Sequence, residues 1–351
     1  MNARTPRRVT RRDIAKAVGM SVSSVSNALN PTKGVRINEN TRATVLRVAN
    51  EMGYRRSFAA RGVATGKAFT VGVLQPRYDA MSFGFYQTIV QGAAEAMAAD
   101  DYHILLLFRS DPKGCLKAVE QGRTDGIFVL QSDMEVSHIE KLLDRGMPTV
   151  VLNKEFSVAS SPHAGCVHSD HKRMMHDVVA EFVAHGCRTV LVLGGTVSCD
   201  ANRLIYDGFA EALDLSKPQG ITGSNMIISF GDPSAQMDNM LRSGQRWDGI
   251  FVDGMCWADI LLAAAAKHGL RAGRDFVLIT SDTDRGKTTK TREELSAYTQ
   301  DPLAIGKAGW ALMKKIVNGD IGHGPDAEKE RCVLLPYCRA SINTEHAEES
   351  R

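Results

Sequence analysis

Residues 10–30 read TRRDIAKAVGMSVSSVSNALN, and the spacing predicts two short helices joined by a glycine turn. Thr10 followed by Asp13 forms a capping box, so a helix is expected from Arg11. Ile14, Ala15 and Val18 fall on one face at helical spacing, and Gly19 permits the tight turn. Ser21 is placed to cap a second helix from Val22 to Leu29, with Val25 and Leu29 pointing inward. Its outward side carries Ser23, Ser24, Ser26 and Asn27, with Asn30 just beyond. A solvated helix normally shows Glu and Lys instead. Short hydrogen-bonding side chains suit base edges and phosphates in a major groove. The competing reading, a three-helix cap with a plain polar face, weakens once charge is counted.

Residues 1–67 hold fourteen Lys and Arg against three Asp and Glu, a net charge of +11. The whole chain has 43 basic and 40 acidic residues, which leaves 29 against 37, or −8, for residues 68–351. A basic head on an acidic body seeks a polyanion, and groove-reading side chains make duplex DNA the expected partner.

Three stretches, residues 10–30, NENTRATVLRVANEMGY (38–54) and AARGVATGK (59–67), together resemble the headpiece and hinge of the LacI/GalR family of bacterial transcriptional regulators. The likeness is most specific over residues 9–67; beyond them it rests on element order and weaker motifs. It implies an all-α helix-turn-helix headpiece with a hinge helix, followed by an α/β body of two doubly wound parallel-sheet lobes of the periplasmic-binding-protein type I kind. The boundaries expected are a headpiece over 1–56, a hinge and linker over 57–67, a body over 68–342 and a tail over 343–351. Within the body, one lobe would be 69–166 plus 301–325 and the other 167–299 plus 330–342, joined by three crossover strands.

The resemblance also assigns roles. Ser21, Val22, Ser23, Ser24, Ser26 and Asn27 would meet bases or phosphates, and Thr10, Arg12, Asn30 and Tyr54 the backbone. In the family a hinge helix folds when two subunits lie side by side on DNA, and a leucine wedges into the minor groove. Here that position is Val63, with Ala60, Arg61 and Gly62 before it, and the usual proline and asparagine are replaced by Arg56 and Ser57. Val is a shorter wedge and Gly opposes helix, so weaker hinge recognition is expected. The family commonly has arginine where Asn27 stands. Arginine reads guanine and asparagine prefers adenine, which predicts a shifted half-site.

Residues 38–52 predict a third helix capped by Asn38, with Val45, Leu46, Ala49 and Met52 inward and Gly53 ending it. From Ala68 onward strands and helices alternate. Strands are expected at 69–74, 102–108, 126–130, 149–152, 166–168, 189–193, 226–230, 249–252, 276–280, 297–299 and 332–335. Runs such as TVGVL and TVLVLG lack period-2 alternation and read as strands buried on both faces. Eleven strands are too many for one comfortable doubly wound sheet, so two lobes are expected.

Ligands of such sheets sit beyond the carboxyl ends of strands. Polar residues in those places include Tyr78, Asn153, Asp170, Arg203, Asp253, Asp282 and Gln300, and Phe83, Phe85, Phe230 and Trp257 are placed to stack on a sugar ring. They form the expected effector set, for a sugar or sugar derivative. Departures from the family pattern around residues 203–208 and 254–255 leave the effector itself open.

Other classes fit poorly. No run approaches the ~18 apolar residues of a membrane span, and the basic N-terminus lacks the apolar core of a secretory signal. A cytoplasmic protein is therefore expected. Gly194-Gly195 is not a dinucleotide fingerprint, and no P-loop or GxSxG is present, so no enzyme and no cofactor are expected. Seven scattered cysteines without a CxxC pair suit free thiols. His163, His168, His171 and His176 are grouped, but their spacings give no i,i+4 pair on one helix face and no Cys or Glu completes a ligand set, so no metal site is expected. The tail SINTEHAEESR has no leucine heptad, which favours a homodimer over a coiled-coil tetramer.

Overall fold

The computed structural model describes residues 9–29, 37–55, 58–75, 84–108, 117, 119–130, 136–196, 200–229, 231–281, 295–322 and 324–342. The chain forms two compact units, residues 1–67 and 68–351.

The first unit holds α1 (Arg11–Val18), α2 (Val22–Leu29), α3 (Glu39–Glu51) and α4 (Phe58–Thr65). Its core is small: Ile14, Ala15, Val25, Ala28, Leu29, Val45 and Ala49 are buried, with Val18, Val48, Met52 and Tyr54 packed against them. The expected inward Leu46 is instead 42% exposed. One step along a helix is about 100°, so Leu46 falls off the narrow stripe of Val45, Val48, Ala49 and Met52, and Val48 takes its place. Helix α3 ends as a Schellman motif: Gly53 N–H donates to Asn50 O at 3.0 Å and Tyr54 N–H to Ala49 O at 2.8 Å, with Gly53 at φ 68°.

The second unit contains two six-stranded sheets. The first is built from β1 (Thr70–Gln75), β2 (His103–Phe108), β3 (Gly126–Leu130), β4 (Thr149–Leu152), β5 (Ala164–Ser169) and β11 (Cys332–Leu335) in the order β11-β5-β4-β3-β1-β2. The second uses β6 (Thr189–Gly194), β7 (Thr222–Ile227), β8 (Gly249–Val252), β9 (Val277–Ser281), β10 (Leu295–Thr299) and β12 (Cys338–Ile342) in the order β12-β10-β9-β8-β6-β7. All pairings among these strands are parallel except β10 with β12.

Helices cover both faces of each sheet, which is why β3, β4 and β8 are buried along their whole length. On one face of the first sheet, α5 (Gly84–Ala98) and α11 (Pro302–Asn318) bury Ile89, Met97, Trp310 and Met313 against Phe128, Leu130 and Val167. On the other, α6 (Val136–Leu143) buries Ile139 and Leu142 against Ile127, Val129 and Cys166. In the second lobe, α7 (His171–Ala184) and α8 (Asp200–Ser216) cover Val190, Val192 and Phe251. Helices α9 (Pro233–Arg242) and α10 (Met255–Lys267) cover Leu191, Leu193 and Ile250. A short α12 (Pro325–Glu330) precedes β11.

Helices α5 and α11 meet backbone to backbone. A Cβ at Gly92 would lie 2.2 Å from Leu303 O, and one at Gly306 2.0 Å from Ile89 O. Only glycine permits that approach.

The topology corrects two expectations. Residues 332–335 pair with β5 in the first sheet, so the expected assignment of 330–342 to the second lobe holds only for β12. Residues 167–169 likewise continue β5 in the first sheet rather than opening the second lobe. The chain therefore passes between sheets after β5, after β10 and between β11 and β12. Strand β7 begins at Thr222, not 226: it is an edge strand, exposed over most of its length, and TGSN carries no apolar run to mark it.

Candidate functional site

The headpiece presents the outward side of α2. Thr10 caps α1 through a reciprocal box, Thr10 N–H donating to Asp13 Oδ2 at 2.8 Å and Asp13 N–H to Thr10 Oγ1 at 3.4 Å. Gly19 follows at φ 70° and turns the chain. Ser21 accepts from Ser24 N–H at 3.0 Å and so starts α2. With Val25, Ala28 and Leu29 buried, Ser21, Val22 and Ser23 are exposed and Ser24, Ser26 and Asn27 are half-buried.

Arg11 ties this surface together, donating to Ser26 Oγ at 3.1 Å and to Tyr54 Oη at 3.3 Å. Both hydroxyls act as acceptors in these bonds, which leaves each its own proton to donate outward. Arg12 is exposed. On α4, Arg61 is half-buried, whereas Val63 is 89% exposed, the most exposed large apolar side chain among those described.

In the second unit the ends of β4, β5, β8 and β10 gather polar groups. Asn153 follows β4 in the left-handed region, φ 59°. Its N–H donates to Val167 O at 2.7 Å, while its Oδ1 is buried without a hydrogen-bond partner among the described residues. Such a group is costly unless something uses it. Ser169 donates to Gln300 Oε1 at 2.8 Å, joining the end of β5 to the end of β10. Asp253, after β8, accepts from Ser281 Oγ at 2.5 Å, and burial pushes its carboxyl above the usual range despite that bond. Tyr206 donates to Gly195 O at 2.8 Å, and burial beside Asp253 pushes its phenol up to about 12.

The segment after β4 also reaches α8 of the second lobe. Lys154 pairs with Asp200 at 3.3 Å and Glu155 with Arg203 at 2.5 Å, while Arg203 also holds Asp207 at 3.1 Å. These pairs, with Ser169–Gln300, bridge the lobes where strand ends converge.

Residues 10–57 match the family described as bacterial regulatory proteins, lacI family. Residues 68–225 match periplasmic binding proteins and sugar binding domain of LacI family. The chain belongs to the LacI family. It is a DNA-binding transcriptional regulator and not an enzyme. It is 25% identical over 320 residues to catabolite control protein A of Priestia megaterium, covering 88% of this chain and 93% of that protein. It is 23% identical over 324 residues to the HTH-type transcriptional regulator MalR of Streptococcus pneumoniae, covering 88% and 93%. Among solved structures, the lac repressor dimer bound to operator and the anti-inducer ONPF superposes with a TM-score of 0.71 at 20% identity, covering 96% of this chain and 99% of that one.

In this LacI-family body the expected effector residues divide. Asn153, Asp253 and Gln300 each follow the end of a strand, β4, β8 and β10 respectively. Asp170 is the N-cap of α7, accepting from Arg173 N–H at 3.0 Å, so one oxygen serves the helix. Arg203 is held in ion pairs. Phe85 packs edge-on against Tyr86, ring centroids 5.4 Å apart, at the margin of the first core. Trp257, expected to stack on a ligand, is 7% exposed in the second-lobe core. The first turn of α10 turns it onto Leu261 and its neighbours, and only its ring edge approaches Gly195. Tyr78, Phe83, Phe230 and Asp282, like Asn30 and the Ala60 side chain in the first unit, lie outside the described residues.

Two groupings escaped sequence reading. One is Glu155, whose partner Arg203 lies 48 residues away. The other joins Cys166, His168 and Cys332, with Cys166 and Cys332 sulfurs 3.0 Å apart. Hydrogen bonds from Cys166 and His168 pull the Cys332 thiol down to about 5, and the same pairing pushes Cys166 up. Alternation in CVHS, which puts residues 166 and 168 on one strand face, was the available signal. Nothing in sequence placed Cys332 beside them. Among the described residues no helix is long and apolar enough to cross a membrane.

Proposed function

We propose that the chain is a cytoplasmic, homodimeric repressor whose grip on a palindromic operator is set by a sugar or sugar derivative held between the body lobes. What carries this reading is the outward side of α2: short polar side chains on a basic, marginally sized headpiece matched to the lacI family over residues 10–57. Each α2 enters a major groove of one half-site. Ser21, Val22, Ser23, Ser24, Ser26 and Asn27 face bases and phosphates, and Thr10, Arg12, Asn30 and Tyr54 hold the backbone. Ala60, Arg61 and Val63 follow the minor groove, and the exposure of Val63 supports this. An apolar side chain left in water has something to gain from intercalating between bases.

The effector is held by Asn153, Asp253 and Gln300 with Asp170 and Arg203 at the margin, and Tyr78, Phe83, Phe85, Phe230 and Asp282 complete the set. Ligand hydroxyls satisfy the orphaned Asn153 Oδ1 and compete for Arg203 with Glu155. Such competition changes the lobe angle, and differential affinity for the two angles sets the size of the switch, typically about 1–3 kcal/mol.

The test is genomic fragment selection with full-length protein, repeated after deleting residues 1–60. Enrichment of a palindrome by the full chain alone is expected. Equal binding by the deleted chain would overturn the reading. Thermal-shift screening of sugars against the same protein, followed by footprinting with the hit, tests the gating.

A further inference from the structure

We propose that Cys166, His168 and Cys332 form a binding site for a thiophilic divalent metal ion of the zinc type, built into the edge of the first sheet. The three side chains come from two neighbouring strands. Cys166 and His168 sit two residues apart on β5 and therefore share a face, and Cys332 is the register partner of Cys166 on β11. Their ligand atoms all lie within 4.8 Å of one another. Cys166 and His168 are buried at 0% and 5% exposure, whereas Cys332 is half-buried and gives an ion a way in.

A group that orients one ligand is in place. His168 Nδ1 lies 3.0 Å from Ser169 O, and a carbonyl partner fixes the neutral ring with Nδ1 protonated and Nε2 carrying the lone pair. Strand backbones hold all three ligands, so little ordering is left to binding.

Charge and spacing select the occupant. Two thiolates and a neutral imidazole around a divalent ion make a neutral complex, the arrangement a buried site tolerates; a monovalent ion would leave a net negative charge. Zinc–sulfur bonds of about 2.3 Å at a tetrahedral angle separate two sulfurs by about 3.8 Å. The present 3.0 Å needs only a small side-chain rotation to open that far. A disulfide between the same two sulfurs is the competing outcome, and reduction before the titration separates the two. Binding would displace the ligands' remaining protons to solvent, and the fourth coordination position stays open to water.

The experiment is a Co(II) titration of the reduced, full-length protein under argon, followed by zinc competition. One equivalent should develop thiolate-to-cobalt charge transfer and tetrahedral d–d bands, both removed by zinc. Cys332→Ser should abolish the signal, and His168→Gln should weaken binding at least tenfold. Cys256→Ser, an exposed thiol elsewhere, should change nothing. Zinc should raise the melting temperature of wild type but not of Cys332→Ser, with circular dichroism confirming that each variant is folded. Failure of folded, reduced wild type to take up cobalt overturns the proposal. So does a 166–332 disulfide in aerobic protein combined with no uptake after reduction, or loss of the signal in Cys256→Ser.

Discussion

Replacing Asn153 with glycine should stabilise the body while weakening its response to effector. Two costs disappear. The unpartnered, buried Oδ1 is removed, worth about 1–3 kcal/mol. The left-handed backbone at φ 59° becomes free of Cβ strain, worth up to about 1 kcal/mol. Against this, glycine widens the unfolded ensemble by about 0.4–1 kcal/mol. The net gain is about 1–3 kcal/mol, or a rise of about 2–6 °C in the melting temperature of a unit this size. Asn153→Ala separates the two causes, because it removes the oxygen but keeps and worsens the strain; it should fall about 1 kcal/mol below the glycine variant. Calorimetry of the unliganded protein reads both. With the sugar found by screening, Asn153→Gly should bind about two- to tenfold more weakly through loss of one hydrogen bond. A structural role for Asn153 predicts the opposite sign. A glycine variant that melts below wild type would refute the reasoning.

Other expectations follow from particular contacts. Glu181, only 8% exposed, accepts from Ser296, Tyr298 and Arg339. Burial raises its carboxyl, but Arg339 and the two hydroxyls outweigh that and leave it below its usual value. Its stabilisation is therefore full above the unfolded carboxylate range and lost as pH falls through the lower folded value. Glu181→Gln should cost about 1–2 kcal/mol at neutral pH, discounted for the exposed Arg339, with the gap to wild type closing below about pH 4 in melting curves. Thr10→Ala should cost the headpiece about 1 kcal/mol, seen as weaker operator binding with an unchanged melting transition of the body. Val45→Ala, in a core with seven buried residues among those described, should cost about 2 kcal/mol, whereas Leu46→Ala should stay within about 0.5 kcal/mol. Equal losses at the two positions by chemical denaturation would contradict the placement of Leu46.

The legibility of this chain followed the locality of its signals. The headpiece was readable because Thr10, Asp13, Gly19 and Ser21 act on neighbours within a few residues. Strands β3, β4 and β8 were readable because burial on both faces leaves an uninterrupted apolar run between turns. The edges were not. Strand β7 is exposed, and its first half is polar. Strand β12, CRASI, has no apolar run to mark it; it is held by antiparallel pairing to β10. The membership of β11 in the first sheet depends on pairing with residues more than 160 positions earlier, which no local pattern encodes. The same gap hides the contact of Cys332 with Cys166, although Cys166 and His168 share a strand face legible in CVHS. Trp257 shows the converse error: an aromatic residue near a strand end is a stacking candidate in sequence, but helix phase turned it inward. The backbone strain and orphaned oxygen of Asn153 are properties of three dimensions only, although its place after β4 was legible.

The glycine seam between α5 and α11 has a mechanical consequence. Leu303 lies one helical turn from the point where the chain arrives from β10, and α5 is the first described helix after the strand that receives the linker. Side chains between helices normally act as bearings, letting one element slide or roll before the next responds. Gly92 and Gly306 remove that bearing, so α11 can move only by taking α5 with it. A tilt begun at Gln300 would thus reach both helices as the displacement of one block.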